Sequence, residues 1–213
     1  TEQAEEMVDI AEKQNLLLQV GHVERFNPVI RFLEDRLNEP RFIEATRLAP
    51  YPPPRAGLPP RGTEVSVVLD LMIHDLDIIL HIVRSPIREI HAVGVPVLSP
   101  TEDIANVRLI FENGCVANVT ASRISLDKMR KVRVFQADTY VSLDYMNQSG
   151  RLHRKNGMQI EVEDVPIEKG EPLANELSSF VESVNNSADP VVSGRHGSDA
   201  LKLAVDICRT IEE

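Results

Sequence analysis

The spacing of hydrophobic positions changes from helical to strand-like near residue 87. Before this point apolar residues recur every three or four positions, which predicts a first helix capped by Thr1 and a second over Pro28–Leu37. A third run, Val65–Val83, is apolar on all sides, which is typical of a buried helix. Between these helices, Leu16–Val20 is predicted to form a short buried strand and Phe42–Leu48 a longer one.

Alternation of apolar and polar residues predicts a sheet after residue 87. The predicted strands are Ile87–Val97, Ile104–Phe111, Cys115–Ser122, Arg130–Gln136, Tyr140–Leu143 and Ile160–Pro166. Short turns such as Glu112-Asn113-Gly114 predict antiparallel pairing, since Asn-Gly tolerates positive φ. Two helices, roughly Pro172–Asn185 and Gly197–Ile211, follow. The expected fold class is α+β, with an open, mainly antiparallel sheet covered on one face by helices.

A proline-rich segment separates the second strand from the buried helix. It contains Pro50, Pro52, Pro53, Pro54, Pro59 and Pro60, with Arg55 and Arg61 among them. Proline lacks a backbone donor, so this segment is predicted to be an irregular loop. Such a loop can be a lid over a binding site, or a rigid linker or oligomer contact.

Composition excludes several classes of function. The 213 residues are 42% hydrophobic, enough for a core, and the net charge of −10 disfavours a nucleic-acid partner. No apolar run reaches the ~18 residues of a membrane span, so no membrane partner is expected. Cys115 and Cys208 offer neither a disulfide framework nor metal-ligand spacing, and we interpret them as free thiols in a reducing cytoplasm.

The predicted buried helix carries a carboxylate and an imidazole four residues apart, Asp70 and His74. This spacing predicts that the two side chains share one face. An unpaired buried charge is costly, so they should pair with each other or face a polar cavity. Imidazole is the side chain best suited to move a proton near neutral pH. The pattern fits equally well a histidine of the core that is hydrogen-bonded to the aspartate and has only a structural role.

A second candidate region follows the predicted strand Leu16–Val20. Asn27 and Pro28 form a good N-cap and first-turn pair for the next helix. His22, Glu24 and Arg25 then remain on a loop at the carboxyl end of a strand, where open α/β sheets place their ligands. An ordinary connection with solvated charges is the alternative.

Together, the two motifs resemble the Gfo/Idh/MocA family of nicotinamide-dependent dehydrogenases. In that family a Gly-x-x-x-Arg-[Phe/Tyr]-x-Pro segment leads from a Rossmann domain into the substrate domain, and a later helix carries Asp-x-x-x-His-x-x-Asp. The matching residues are Gly21, Arg25, Phe26 and Pro28 for the first motif, and Asp70, His74 and Asp77 for the second. Segments 103–114 and 192–197 also resemble the family, so the resemblance covers essentially the whole chain.

The resemblance implies hydride transfer between a secondary alcohol of a sugar-like substrate and NAD or NADP. It implies that His74 is the catalytic acid/base and that Asp70 orients it and contacts substrate hydroxyls. Glu24, Arg25 and Asn27 would bind substrate, although capping alone also explains Asn27. Within the family, segment 21–28 is most similar to members of the UDP-N-acetylglucosamine 3-dehydrogenase type. Inositol, glucose or another nucleotide sugar remain alternative substrates.

The chain lacks the Gly-x-Gly-x-x-Gly turn that binds a dinucleotide, and the family's Glu-Lys-Pro lysine would lie just before Thr1. We therefore expect residues 1–22 to be the remnant of a dinucleotide-binding (Rossmann) domain and residues 23–213 to be the substrate-binding and oligomerisation domain. The main cofactor site would lie upstream of Thr1, and this fragment would bind no cofactor and be inactive. The family also implies a homodimer or homotetramer through the open sheet face, for which Ala117, Val119 and Ala121 are candidates.

Two other classes of function fit these residues. One is a non-catalytic sugar-ligand or oligomerisation module with the same fold. The other is a metal hydrolase that uses His22, Asp70 and His74. Because no close pair such as His-x-x-x-His accompanies these residues, no metal site is expected.

Overall fold

The computed structural model describes residues 1–34 and 36–213. The strands are β1 (Phe42–Leu48), β2 (Ile87–Val95), β3 (Ile104–Phe111), β4 (Val116–Ser122), β5 (Met129–Phe135), β6 (Thr139–Asp144), β7 (Ser149–Asn156) and β8 (Gln159–Asp164). They form an eight-stranded sheet in the order β2-β3-β4-β1-β5-β6-β7-β8. Strands β1 and β4 pair in parallel, and the other neighbours pair antiparallel. The parallel pair is possible because a long crossover containing helix and strand separates β1 from β4.

The helices lie on one face of this sheet. They are α1 (Glu2–Lys13), a 3-10 helix (Val23–Phe26), α2 (Pro28–Glu34), a π-helix (Val68–Met72), α3 (Ile73–Val83), α4 (Pro172–Asn186) and α5 (Gly194–Glu212). The π-helix and α3 pack on β4, and α5 packs on β2. None of the helices in the described residues is long and apolar enough to cross a membrane.

Alternation along the strands separates a buried face from an open one. Val107, Leu109 and Phe111 of β3 are fully buried, whereas Asn106 and Arg108 between them are exposed. The buried face packs against the helix layer and forms the core. The predicted α+β class, with an open, mainly antiparallel sheet covered on one face, is confirmed.

Two strand predictions differ from the structure. Leu16–Val20 is not a strand, because only Gln19 pairs, through a single bridge to Ser193, and Leu16 is 58% exposed. A strand needs a hydrogen-bonded neighbour along its length, and residues 16–20 have one at a single position within the described chain. Strand β7 was not predicted, since Leu152 is its only buried apolar residue.

The helix predictions hold with two changes. Asn27 caps α2 as predicted, since its Oδ1 accepts a hydrogen bond from the backbone N of Val29 at 3.1 Å. Helix α2 ends at Glu34. Of the further residues predicted to be helical, residue 35 lies outside the described residues, and residues 36 and 37 are not helical. The run predicted as one helix over 65–83 divides into the π-helix and α3.

The prediction that Ala117, Val119 and Ala121 lie on the open face is wrong. All three are fully buried. Because the π-helix and α3 pack on β4, the apolar phase of this strand must face the helices. The alternate residues Asn118 and Thr120 therefore occupy the open face.

Candidate active site

A network of charged side chains is buried between the sheet and the helix layer. Arg47 on β1 donates from Nε to Oδ2 of Asp75 on α3 at 2.7 Å, and the two side chains are 4% and 2% exposed. The hydroxyl of Tyr145, just after β6, also donates to Asp75. Glu24 of the 3-10 helix lies 3.5 Å from Arg47 Nη1. The network thus links two strands, α3 and the 3-10 helix.

Glu24 connects this network to the surface. Its Oε1 accepts a hydrogen bond at 2.9 Å from Nη1 of Arg130, whose side chain is 48% exposed. Asn27 Nδ2 donates to Glu24 Oε2 at 3.4 Å and to the backbone O of Tyr145 at 2.9 Å. In the described residues, Asn27 therefore positions Glu24, and Glu24 in turn positions the guanidinium of Arg130.

Burial and charge fix the protonation of the network. Burial opposes the charge of Arg47, but the attraction of Asp75 and Glu24 outweighs it and raises the pKa of Arg47. Burial and the neighbouring Asp75 raise the pKa of Tyr145 well above its ordinary value, so this phenol stays neutral and donates. A buried ion pair needs such extra hydrogen bonds to offset its loss of hydration.

His74 lies beside this network, near the start of α3. Its Nδ1 is fully buried and has no hydrogen-bond partner among the residues that the structure describes. Burial, with the charges of Arg47 and His22, lowers the pKa of His74 to about 4. The ring is therefore neutral at pH 7 and can accept a proton. The ring of His22 packs against it nearly at right angles, with centroids 5.7 Å apart.

Asp70 and His74 form no hydrogen bond in the described structure, so the other expected arrangement, a shared polar cavity, stays a prediction. Asp70 lies in the π-helix, whose i→i+5 hydrogen bonds widen the turn, so residues four apart no longer stack. Its carboxylate lies against Gly62, where a Cβ would be only 2.5 Å from Asp70 Oδ2 and where φ is +83°. Burial raises the pKa of Asp70, although Arg123 and Arg61 oppose the shift.

Arg25 lies beside two carboxylates, those of Asp77 and Glu34. Its side chain is buried, with Nη1 3.5 Å from Asp77 Oδ1 and Nε 4.0 Å from Glu34 Oε1. Arg25 and Asp77 line a cavity of about 1000 Å³ between α3, β2 and α5, and His74 is not among the lining residues. That Arg25 and His74 open onto one cleft therefore stays a prediction.

Sequence reasoning missed three members of the network, Arg47, Tyr145 and Arg130. A signal was present, since each one is in phase with the buried apolar positions of its own strand. A charged residue at a core position predicts a buried ion pair or a site. Arg130 belongs to a dense basic run over residues 128–133, and it alone of the basic residues on β5 pairs with the buried Glu24 in the described structure.

The described residues form no cradle for a dinucleotide. The glycines that open α5 serve packing, since a Cβ on Gly194 would lie 2.6 Å from Leu18 Cδ2 and one on Gly197 would lie 2.5 Å from Val20 Cγ2. The Ser193 side chain already caps the N-terminus of this helix. Within the same residues, no three His, Cys, Asp or Glu side chains are grouped so that they could hold a metal ion. The metal-hydrolase alternative therefore has no support in the structure.

Comparison with known proteins gives consistent results. The sequence model of the GFO/IDH/MocA C-terminal domain matches residues 32–138. The UDP-N-acetylglucosamine 3-dehydrogenase of Acidithiobacillus ferrooxidans is 32% identical over 219 residues, covering 100% of this chain and 68% of that protein. A solved structure of that enzyme superposes with a TM-score of 0.90 at 31% identity, covering 99% of this chain and 67% of that one. A putative NADPH-dependent oxidoreductase from Desulfitobacterium hafniense shares the fold at 13% identity, with a TM-score of 0.83 and coverage of 98% and 67%.

Proposed function

Because the chain belongs to the Gfo/Idh/MocA family, we propose that it is the substrate domain of an NAD(P)-dependent oxidoreductase that oxidises a secondary hydroxyl of a nucleotide sugar. The relative of 32% identity is named for UDP-N-acetylglucosamine, which supports the 3-hydroxyl of a UDP-linked N-acetylhexosamine as the reacting group. The observation that carries the proposal is His74, a neutral imidazole beside a buried ion network, in the family's Asp-x-x-x-His motif.

His74 is the proposed base for the substrate hydroxyl. Burial and Arg47 keep its ring unprotonated at neutral pH, as a base requires. The Arg47–Asp75 ion pair fixes the residue next to His74 on α3, and so orients the start of this helix. Asp70 contacts a substrate hydroxyl from the π-helix, a role that does not require the hydrogen bond to His74.

Glu24, Arg25 and Asn27 are the proposed substrate-pocket residues. Glu24 and Asn27 act by holding Arg130, whose half-exposed guanidinium can donate to an anionic or hydroxyl group. Arg25 contributes through its ion pair with Asp77.

Oxidation of an alcohol requires a hydride acceptor, and the family supports NAD or NADP for this role. Since the described residues form no dinucleotide cradle, the cofactor would be held elsewhere in the enzyme. We propose residues 1–22 as the remnant of a Rossmann domain and residues 23–213 as the substrate domain. We therefore expect NADH or NADPH titrated into this chain to show no saturable binding below about millimolar, because its sequence has no Gly-x-Gly-x-x-Gly turn to bind the pyrophosphate at a helix N-terminus.

We propose in addition that copies of the chain form a homodimer or homotetramer through the open sheet face in the cytoplasm. A row of contacting rings crosses this face from β1 to β7, with centroid separations of 5.7, 4.9 and 3.9 Å; the first pair is tilted and the other two are stacked. Its members are Phe42, Phe135, Tyr140 and His153. Partly exposed aromatic rows of this kind are suited to association.

Turnover tests the proposed function against the alternative, a non-catalytic sugar-ligand or oligomerisation module. Full-length enzyme containing this chain should reduce NAD⁺ or NADP⁺ when UDP-N-acetylglucosamine is added. Binding of the sugar nucleotide without any turnover would favour the module.

A further inference from the structure

Buried polar atoms without a hydrogen-bond partner concentrate along one path through the molecule. Six such side-chain atoms occur in the part of the chain that the structure describes. Five of them belong to His74, His22, Asp77 and Arg25. Native proteins leave few buried polar groups unsatisfied, and those that occur commonly bind ordered water or take part in catalysis.

These side chains follow one another from His74 to the large cavity. The His22 ring lies against the His74 ring with centroids 5.7 Å apart, and the Nδ1 atom of each ring is buried. Asp77 is three residues after His74 on α3, which places the two on neighbouring parts of one face. Its charge acts on His22, its Oδ1 lies 3.5 Å from Arg25 Nη1, and Arg25 and Asp77 both line the cavity of about 1000 Å³.

We propose that His22 and Asp77 form a proton passage that connects His74 to this cavity. The inference rests on the proposed role of His74 as the base. In each turnover the substrate hydroxyl gives one proton to His74, while the hydride leaves the same carbon for the nicotinamide acceptor. One proton must then leave His74 before the next turnover. The proton on the buried Nδ1 passes through ordered water to His22, and then past Asp77 into the cavity, which leaves a neutral ring protonated on the substrate side. After the product leaves, that proton is lost to solvent and a proton returns to Nδ1 through the passage, which restores the tautomer that can accept again.

The buried edge of His74 is the route that stays available during the reaction. A substrate bound at the accessible part of this ring would block its direct contact with solvent. A water molecule can bridge polar groups that are too far apart for a direct hydrogen bond. His22 can accept a proton because burial keeps it neutral, while Asp77 favours its charged form.

The charged surroundings are compatible with brief protonation. His74 faces Arg47, Arg130, Asp75 and His22, whereas His22 faces Asp77 and Arg25. Asp77 also faces His81 on its own helix and His196 on α5. Among the charged groups that act on His22, the carboxylate of Asp77 is the one that favours a proton on its ring.

Replacement of His22 in the full-length enzyme tests the passage. The variants are His22→Gln, which keeps a polar group, and His22→Ala, which leaves room for a small buffer. In dilute buffer, we expect kcat to fall at least roughly tenfold in both variants, with little change in KM. Added imidazole should restore kcat in His22→Ala, because a diffusible base replaces the missing ring. His91→Gln, at an exposed position on β2, should keep the wild-type kcat.

The outcomes distinguish a failure of the proton passage from a failure of the proposed function on which it rests. If His74→Asn abolishes turnover while His22→Gln and His22→Ala keep the wild-type kcat in dilute buffer, the passage is wrong and the base assignment stands. If imidazole does not restore kcat in a folded His22→Ala enzyme, His22 has only a structural role and the passage is again wrong. If His74→Asn itself has normal turnover, the proposed function fails first.

Discussion

Arg47 and Asp75 join the sheet to the helix that carries His74, through an ion pair of 2.7 Å whose two side chains are almost fully buried. Asp75 is the residue after His74, so this contact fixes the helix at the position of the proposed base. Tyr145 and Glu24 add hydrogen-bonding and ionic contacts around the same pair. The position of His74 is thus set by residues from four separate segments of the chain.

Removing Arg47 should strongly destabilise the protein. In Arg47→Met, Asp75 would remain buried without its cation, and we expect the free energy of unfolding to fall by about 3–5 kcal/mol. Urea denaturation measures this change. The matched control is Arg133→Met on β5, which breaks the exposed pair with Glu44 at 3.4 Å and should cost less than about 1 kcal/mol. Equal losses in the two variants would contradict the role given to the buried pair.

Gly62→Ala should displace Asp70. Residue 62 has φ of +83°, and the new Cβ would lie within 2.5 Å of the Asp70 carboxylate, so strain and steric conflict add. We expect a loss of more than about 1 kcal/mol in unfolding free energy, together with reduced turnover of the full-length enzyme. Gly57→Ala is the control, since φ there is +69° but no atom lies within 4 Å of the added Cβ. If the two variants show the same loss of unfolding free energy and the same turnover, the contact between residue 62 and Asp70 is unimportant.

The low pKa of His74 should make stability depend on pH. The folded pKa is about 4 and the ordinary value is 6.5, so between these values the unfolded chain binds a proton that the folded chain does not. The contribution of His74 is complete above pH 6.5 and is lost as the pH falls toward 4, by up to roughly 3 kcal/mol. His74→Asn should therefore lose less stability than wild type when urea denaturation is repeated at progressively lower pH. Parallel losses in the two proteins would show that His74 titrates normally.

Tyr140→Lys should weaken self-association. Tyr140 stacks between Phe135 and His153 in the aromatic row of the open face, so a lysine there places a charge inside the proposed interface. Sedimentation velocity of the wild-type chain should show a dimer or tetramer, and the variant should shift toward the monomer. Met7→Lys, at an exposed position on α1 in the helix layer, is the control and should associate as wild type does. A monomeric wild-type chain would refute the interface.

The period-two pattern was sufficient to locate the sheet. Strands β1 and β3 have the predicted boundaries, because one face of each packs on the core and the pattern reports that burial directly. The pattern fails where burial is weak, as in β7, which contributes one buried apolar side chain. It also fails at Leu16–Val20, where an apolar run finds a hydrogen-bonded partner at a single position in the described chain.

The site was harder to predict than the fold. The residues of the π-helix have the same apolar character as those of α3, so no local signal reveals that the turn widens at Asp70 and separates it from His74. The Arg47–Asp75 pair joins residues 28 positions apart in sequence. The phase of Arg47 indicates that it is buried, but only the assembled sheet shows which carboxylate it meets.

The most direct test of the account is the turnover of UDP-N-acetylglucosamine by full-length His74→Asn enzyme, followed through reduction of NAD⁺ or NADP⁺. We expect kcat to fall by roughly 10²–10⁴-fold, the usual contribution of a positioned acid/base, with the affinity for the nicotinamide nearly unchanged. His91→Asn, at an exposed histidine, should have wild-type turnover. Near-normal turnover in a folded His74→Asn enzyme would contradict the account and leave His74 with a structural role only.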